Sequence, residues 1–90
     1  MSEVKAMNYG QAQAVKVLAA ARMGIEVGDE ETAKAMLSGA PVHAMFGARL
    51  EGEACRVHEL IRTSEERVRE ANEHVAAITR EYGFVIEGHS

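Results

Sequence analysis

The fold of this 90-residue chain is decided by residues 50–82, which read LEGEACRVHELIRTSEERVREANEHVAAITREY. Apolar or small side chains recur there at alternating steps of four and three residues. This spacing places them on one stripe of an α-helix, as in a heptad repeat. The stripe, called the seam below, consists of Leu50, Ala54, Val57, Ile61, Ser64, Val68, Ala71, Val75, Ile78 and Tyr82.

The seam predicts one long helix over about residues 42–82. That helix would measure about 60 Å, whereas a compact domain of this size is only about 30 Å across. A break is the alternative, because Thr63 and Glu66 have the spacing of a capping box. The heptad phase runs through Thr63 and Ser64 without a slip, and this favours the continuous helix. We therefore expect the seam to be buried by self-association, most simply in a homodimer.

The first half of the chain predicts two shorter helices. One is expected over about residues 8–23, with Asn8 as its N-cap and Gly24 as its stop. Its apolar residues occur on nearly all sides of the helix, which is typical of a helix that is buried among other helices. The other is expected over about 29–37, with Asp29 as its N-cap, and a third start is expected at Ala40-Pro41.

These elements predict a single all-α domain over residues 1–90. Two short helices would pack on one long heptad-patterned helix, in a helical-bundle or coiled-coil oligomer. Residues 1–7 are expected to form a frayed leader and residues 83–90 a C-terminal tail. Apolar residues at Phe84 and beyond are placed to pack back on the last helical turn.

Composition excludes several classes of protein. Apolar residues make up 47% of the chain, which is too many for a disordered protein. Cys55 is the only cysteine, so a disulfide scaffold is excluded. The longest apolar run, residues 17–21, is far shorter than the roughly 20 residues of a membrane span. With no basic, apolar start typical of a signal peptide, we expect a cytoplasmic protein without membrane contact.

The residue pattern predicts no catalytic residues, no cofactor-binding residues and no cofactor, and therefore a protein that is not an enzyme. Candidate nucleophiles such as Cys55 lie on the seam helix without a glycine-rich elbow nearby. Glu51, Cys55 and His58 occupy neighbouring helical turns and are compatible with a metal. A structural zinc site needs four ligands, so this interpretation requires a second copy, in a metal-bridged dimer.

A helix-turn-helix DNA-binding regulator is a further alternative. Ala20, Gly24 and Ile25 have the spacing of the core positions of that motif. The second helix would open with acidic residues that point towards phosphates, and the net charge of the chain is −4. Direct binding to nucleic acid is therefore not expected.

The leading hypothesis is a small acidic module for protein–protein interaction, which docks on a larger protein partner. The candidate contact residues are mostly acidic and are Asp29, Glu30, Glu31, Glu65, Glu66, Arg67, Glu70 and Glu73. A basic partner surface would complement them. One concrete version is an inhibitor from a phage or mobile element, of the anti-CRISPR type, that occupies the nucleic-acid-binding surface of a host defence complex. Small size, acidity and the lack of catalytic groups motivate it.

Overall fold

A computed structural model of the chain describes residues 5–85. They form four α-helices, which are α1 (Tyr9–Arg22), α2 (Glu30–Leu37), α3 (Ala44–Ile61) and α4 (Glu65–Glu81). Two short strands, β1 (Lys5–Ala6) and β2 (Phe84–Val85), pair in parallel. The predicted all-α class is confirmed. The predicted fraying is wrong for β1, because its backbone pairs with β2; residues 1–4 and 86–90 of the predicted leader and tail lie outside the described residues.

α1 is the central helix, and α2, α3 and α4 all pack against it. It begins with a capping box, in which the Asn8 side chain accepts from the Gln11 backbone N–H at 2.8 Å. The Gln11 side chain accepts in turn from the Asn8 backbone N–H at 3.1 Å. Between residues 13 and 20 every side chain is buried except that of Lys16. The expectation of a helix buried among others is confirmed for this stretch.

The long helix expected over residues 42–82 is wrong, because the chain breaks inside the seam. α3 ends at Ile61, and three residues separate it from α4. Ser64 has extended backbone angles (φ −140°, ψ 125°), and its hydroxyl accepts from the Arg67 N–H at 3.3 Å. The cap of α4 is therefore Ser64 and not Thr63. The longest dimension of the molecule is 40 Å, which leaves no room for an unbroken helix of about 60 Å.

The two halves of the seam fold back onto α1. Leu50 and Ile78 are 0% exposed and belong to the main core cluster with the middle of α1. Val57, Ile61 and Ala71 form a second cluster around Ala20. These side chains are buried within one chain, so the length of the stripe no longer requires a second copy to cover it. Self-association stays a prediction.

Residues 23–29 connect α1 to α2 and are fastened to α3. The Glu53 carboxylate accepts from the Gly28 N–H at 3.3 Å, and the Arg56 guanidinium donates to the Glu26 carbonyl at 2.6 Å. Asp29 lies at the N-cap position of α2 but has a left-handed backbone (φ 58°) and makes no side-chain cap. The expectation that its side chain caps α2 is wrong.

α3 begins later than the sequence predicts. The ring of His43 accepts from the Met45 N–H at 3.0 Å and caps the helix. The expected start at Ala40-Pro41 is wrong, because the backbone is not helical there. None of the helices between residues 5 and 85 has both the length and the apolar character that crossing a membrane requires.

Candidate functional site

A groove lies between α3 and α4, and α1 forms its floor. α3 and α4 each pack on α1 but make few contacts with each other. The space between them has a volume of about 390 Å³. Its apolar lining comes mainly from Val15, Ala19, Val57, Ile61, Val68, Ala71 and Val75. Most of these residues belong to the seam, so the groove is the part of the seam that α1 does not fully cover.

The groove is short. Its lining runs from Ala12 to Ala19 on α1 and from Val68 to Val75 on α4, which is about 10 Å, or two helical turns. Val68 is 38% exposed, the largest exposure among its apolar lining. Leu60, 42% exposed, lies at the end of α3 beside the turn. Leu60 does not line the groove, so Val68 is the most exposed apolar side chain of the groove itself.

The ionisable residues of the groove are all basic. They are Lys16 on α1 and His58 and Arg62 on α3, and the neutral Asn72 of α4 is the other polar residue of the lining. No carboxylate occurs among the described residues that line the groove. Arg62 is paired with Glu59 at 2.9 Å, whereas Lys16 makes no ion pair within residues 5–85. The mouth of the groove is therefore electropositive, although the chain as a whole is acidic.

A bidentate ion pair joins the C-terminal ends of α1 and α4, the floor and one wall of the groove. The two guanidinium nitrogens of Arg22 donate to the two carboxylate oxygens of Glu81 at 2.7 and 2.9 Å. This hydrogen bonding lowers the pKa of Glu81 and raises that of Arg22. Since both side chains are largely exposed, the pair acts mainly by orienting the two helix ends rather than by adding much stability.

The predicted acidic contact residues fall into two groups. Glu65, Glu66, Glu70 and Glu73 are exposed on α4, and none of them makes an ion pair in the described part of the chain. We call this surface the acidic face. Arg67, beside it, donates to the Leu60 carbonyl at 3.3 Å and so fastens the α3–α4 turn.

The acidic residues at the start of α2 have partners within the chain. Asp29, whose side chain is only 13% exposed, pairs with Arg49 at 3.1 Å. Glu30 and Glu31 both lie within 3.6 Å of the Lys34 amino group, and the hydrogen bond to Glu31 raises the pKa of Lys34. Intramolecular pairing thus takes up much of the negative charge that was expected to face a partner.

The residues of the predicted metal site point to different neighbours. Cys55 is exposed, and His58 lines the groove. Glu51 accepts from the Tyr9 hydroxyl at 2.6 Å, and this hydrogen bond raises the pKa of Tyr9. Residues 5–85 contain no group of three or more side chains arranged to hold a metal. Within one chain, Glu51, Cys55 and His58 therefore do not form the half-site that a metal-bridged dimer would need.

The helix-turn-helix geometry is also absent from α1 and α2. Residues 23–29 separate the two helices, a longer connection than the turn of about three or four residues in that motif. Ile25 and Val27 of the connector pack into the core cluster around Ala20. These contacts leave α2 positioned by the core and by α3, with acidic residues in its first turn.

The chain matches no protein-family model, no curated protein and no solved structure. What the fold and the candidate site define is a class: a four-helix all-α domain with an apolar, electropositive groove. Sequence reasoning missed this groove. The signal that could have found it is Lys16, the one charged side chain between residues 9 and 21 of a helix that is otherwise largely apolar.

Proposed function

We propose that this protein is a non-enzymatic interaction module that binds an amphipathic helix of a larger protein in the groove between α3 and α4. The observation that carries the proposal is the apolar groove itself, which has a volume of about 390 Å³. It lies over α1, between the half of the seam on α3 and the half on α4. Recognition of an amphipathic helix by an apolar groove is a recurring mode of protein interaction.

The dimensions of the groove suit one face of a helix. At about 30 Å³ for each water-sized group, a volume of 390 Å³ accommodates roughly a dozen carbon atoms, or about three leucine side chains. A length of about 10 Å corresponds to two helical turns, over which a helix presents apolar side chains at positions i, i+3 or i+4, and i+7. An extended segment would place only about three residues in the same length.

The surroundings of the groove resemble an interface with an apolar centre and a polar rim. Four large apolar side chains among the described residues have substantial exposure, and Val68 is the one of them that lines the groove. The other three, Leu60, Tyr9 and Met45, do not line it. Burial of a fully exposed valine side chain is worth about 1.5 kcal/mol or more, and Val68 is 38% exposed. A docked helix would therefore gain about 0.6 kcal/mol at this position.

A selection experiment tests the proposal and does not require the partner to be identified first. The full chain is presented to a display library of helical peptides randomised on one face. The selected peptides are then measured against Val68→Gln and against Met45→Gln, a matched variant with the same polar substitution at an exposed apolar site outside the groove. We expect affinity to fall about tenfold in Val68→Gln, because docking would then bury an unpaired amide at a cost of about 1–3 kcal/mol. Affinity should stay unchanged in Met45→Gln.

Two results would overturn the proposal. Peptides that bind Val68→Gln as tightly as the parent chain do not occupy the groove. If the unliganded chain sediments as a dimer that Val68→Gln dissociates, the occupant is a second copy of the chain and not another protein.

The acidic face of α4 supports a second candidate function. Its four exposed glutamates, unpaired within residues 5–85, would complement a basic surface. A small inhibitor from a phage or mobile element would use such a face to block the nucleic-acid-binding surface of a host defence complex. The test uses defence complexes purified from the native host and measures their nucleic-acid binding with and without the chain.

This second candidate predicts inhibition that weakens as salt rises, because exposed charges are screened. Reversal of two charges, in Glu66→Lys with Glu70→Lys, should remove the inhibition, whereas Val68→Gln should leave it intact. Inhibition that is indifferent to salt and to the charge reversal would exclude the acidic face.

A further inference from the structure

We infer that the groove selects helices that carry a carboxylate beside their apolar face, and that Lys16 is the residue that determines this specificity. The inference rests on the proposed function, since it names the chemistry of the partner that the same groove would bind. It starts from the position of one side chain. Lys16 is the only exposed residue in the buried stretch of α1 between residues 13 and 20, and it emerges where the groove opens.

Lys16 also differs from most basic residues of the chain in having no carboxylate partner. Within residues 5–85, Arg22, Lys34, Arg49, Arg56 and Arg62 all form ion pairs. Arg67, Arg69 and Arg80 form none, but they do not line the groove. An unpaired cation at an apolar cleft is therefore a particular feature of Lys16, and a carboxylate on the bound segment would complement it.

The other basic residues of the groove leave Lys16 as its available cation. His58 and Arg62 lie one turn apart on the α3 wall of the same groove, and Arg62 is already paired with Glu59. None of the α4 glutamates is among the residues that line the groove. A bound helix would also displace water from the mouth, and an ion pair is stronger where water is excluded. The flexible stem of a lysine can lie along the apolar floor while its amino group reaches the ligand.

The experiment uses peptides whose binding is sensitive to Val68→Gln. For each one, three versions carry Glu, Gln or Lys at the position next to the apolar face. They are measured against the parent chain, Lys16→Gln, Lys16→Glu and Arg80→Gln. Arg80→Gln is the matched control, because it removes one exposed, unpaired positive charge outside the groove.

We expect the parent chain to bind the Glu peptide about fivefold or more tighter than the Gln peptide, as for a hydrogen bond to a charged group. Lys16→Gln should abolish that ratio, Lys16→Glu should make the Lys peptide the tightest ligand, and Arg80→Gln should leave the ratio unchanged. Thermal melts of each variant, followed by circular dichroism, verify that the fold is retained.

The inference fails if the ratio of Glu to Gln affinity is the same in Lys16→Gln as in the parent chain. It also fails if dodecanoate displaces the Glu peptide, binds as tightly as that peptide and depends on Lys16 in the same way. The groove would then bind a fatty acid through its carboxylate. Either outcome leaves the proposed function standing if binding still requires Val68. If no selected peptide depends on Val68, the proposed function itself fails.

Discussion

Ser64 provides the sharpest test of the break between α3 and α4, because Ser64→Ala should change stability in opposite directions in the two folds considered. In the structure Ser64 is the N-cap of α4, with extended backbone and a hydroxyl that accepts from the Arg67 N–H. In an unbroken helix over residues 42–82 it would lie in the interior, where alanine is the better helix former. The sign of the change therefore identifies the fold.

The size of the effect follows from the geometry of the cap. Loss of an N-cap side chain costs about 0.5–2 kcal/mol. The hydrogen bond at Ser64 is 3.3 Å long, beyond the usual range for N–H···O bonds, so we expect the lower half of that range. Removing about 1 kcal/mol lowers the melting temperature of a domain of this size by about 4–8 °C. In the interior of a helix, the same substitution would instead stabilise the chain by about 0.5 kcal/mol.

Urea unfolding followed by far-ultraviolet circular dichroism measures the change in the free energy of unfolding. Asn8→Ala is the matched control, because Asn8 caps α1 with a hydrogen bond of 2.8 Å and was expected to be a cap from the sequence as well. The free energy of unfolding of Asn8→Ala should be about 1 kcal/mol lower than that of the parent chain. If Asn8→Ala destabilises the chain while Ser64→Ala stabilises it, the helix is continuous and the arrangement of the groove between α3 and α4 is refuted.

Four further substitutions test the core, two glycine positions and the Glu53 carboxylate, which fastens the connector to α3. Leu50→Ala should cost about 2–5 kcal/mol in urea unfolding, since Leu50 is 0% exposed; a loss below about 0.5 kcal/mol would mean that it is not in the core. Gly24→Ala should destabilise the chain by about 1–2 kcal/mol, because the φ of Gly24 is +85°. Gly52 lies inside α3 with open space around it, so Gly52→Ala should stabilise the chain by up to about 1 kcal/mol. Effects of the same sign would contradict these backbone assignments. The hydrogen bond from Arg56 holds the pKa of Glu53 below its usual 4.5, so this carboxylate stabilises the fold fully above that pH and loses its effect as the pH falls through the lower folded-state pKa. The stability difference between the parent chain and Glu53→Gln should therefore shrink on acidification, and a constant difference from neutral to acidic pH would exclude this contribution.

Local signals in the sequence predict the helix class and several helix ends correctly. The Asn8–Gln11 spacing locates the start of α1, and Gly24 marks its end because a left-handed residue there is favourable for glycine. α2 is also close to its predicted bounds of 29–37. These features depend on contacts within a few residues of each other. The pairing of Asp29 with Arg49 joins residues far apart in the sequence, so no local pattern could indicate it.

The break in the seam shows what a heptad pattern leaves undetermined. The step from Ile61 to Ser64 and the next step to Val68 keep the alternation of three and four, although the helix ends between them. The pattern reports that side chains share a face, and both α3 and α4 turn that face towards α1. It does not report which surface covers the face. α1 is apolar on nearly all sides, so the cover that the seam needs was present in the same chain.

The same reasoning explains why a groove remains. One helix can cover two others along its opposite sides, but it cannot also fill the space where those two diverge. The seam residues nearest the turn on the α4 side are Ser64, Val68 and Ala71, which are small or medium in size, and Val68 stays 38% exposed. Larger side chains there would close the space over α1, as Leu50 and Ile78 do at the other ends of α3 and α4. The weak stretch of the seam and the candidate binding groove are therefore one feature, and a bound apolar helix would supply the side chains that this stretch lacks.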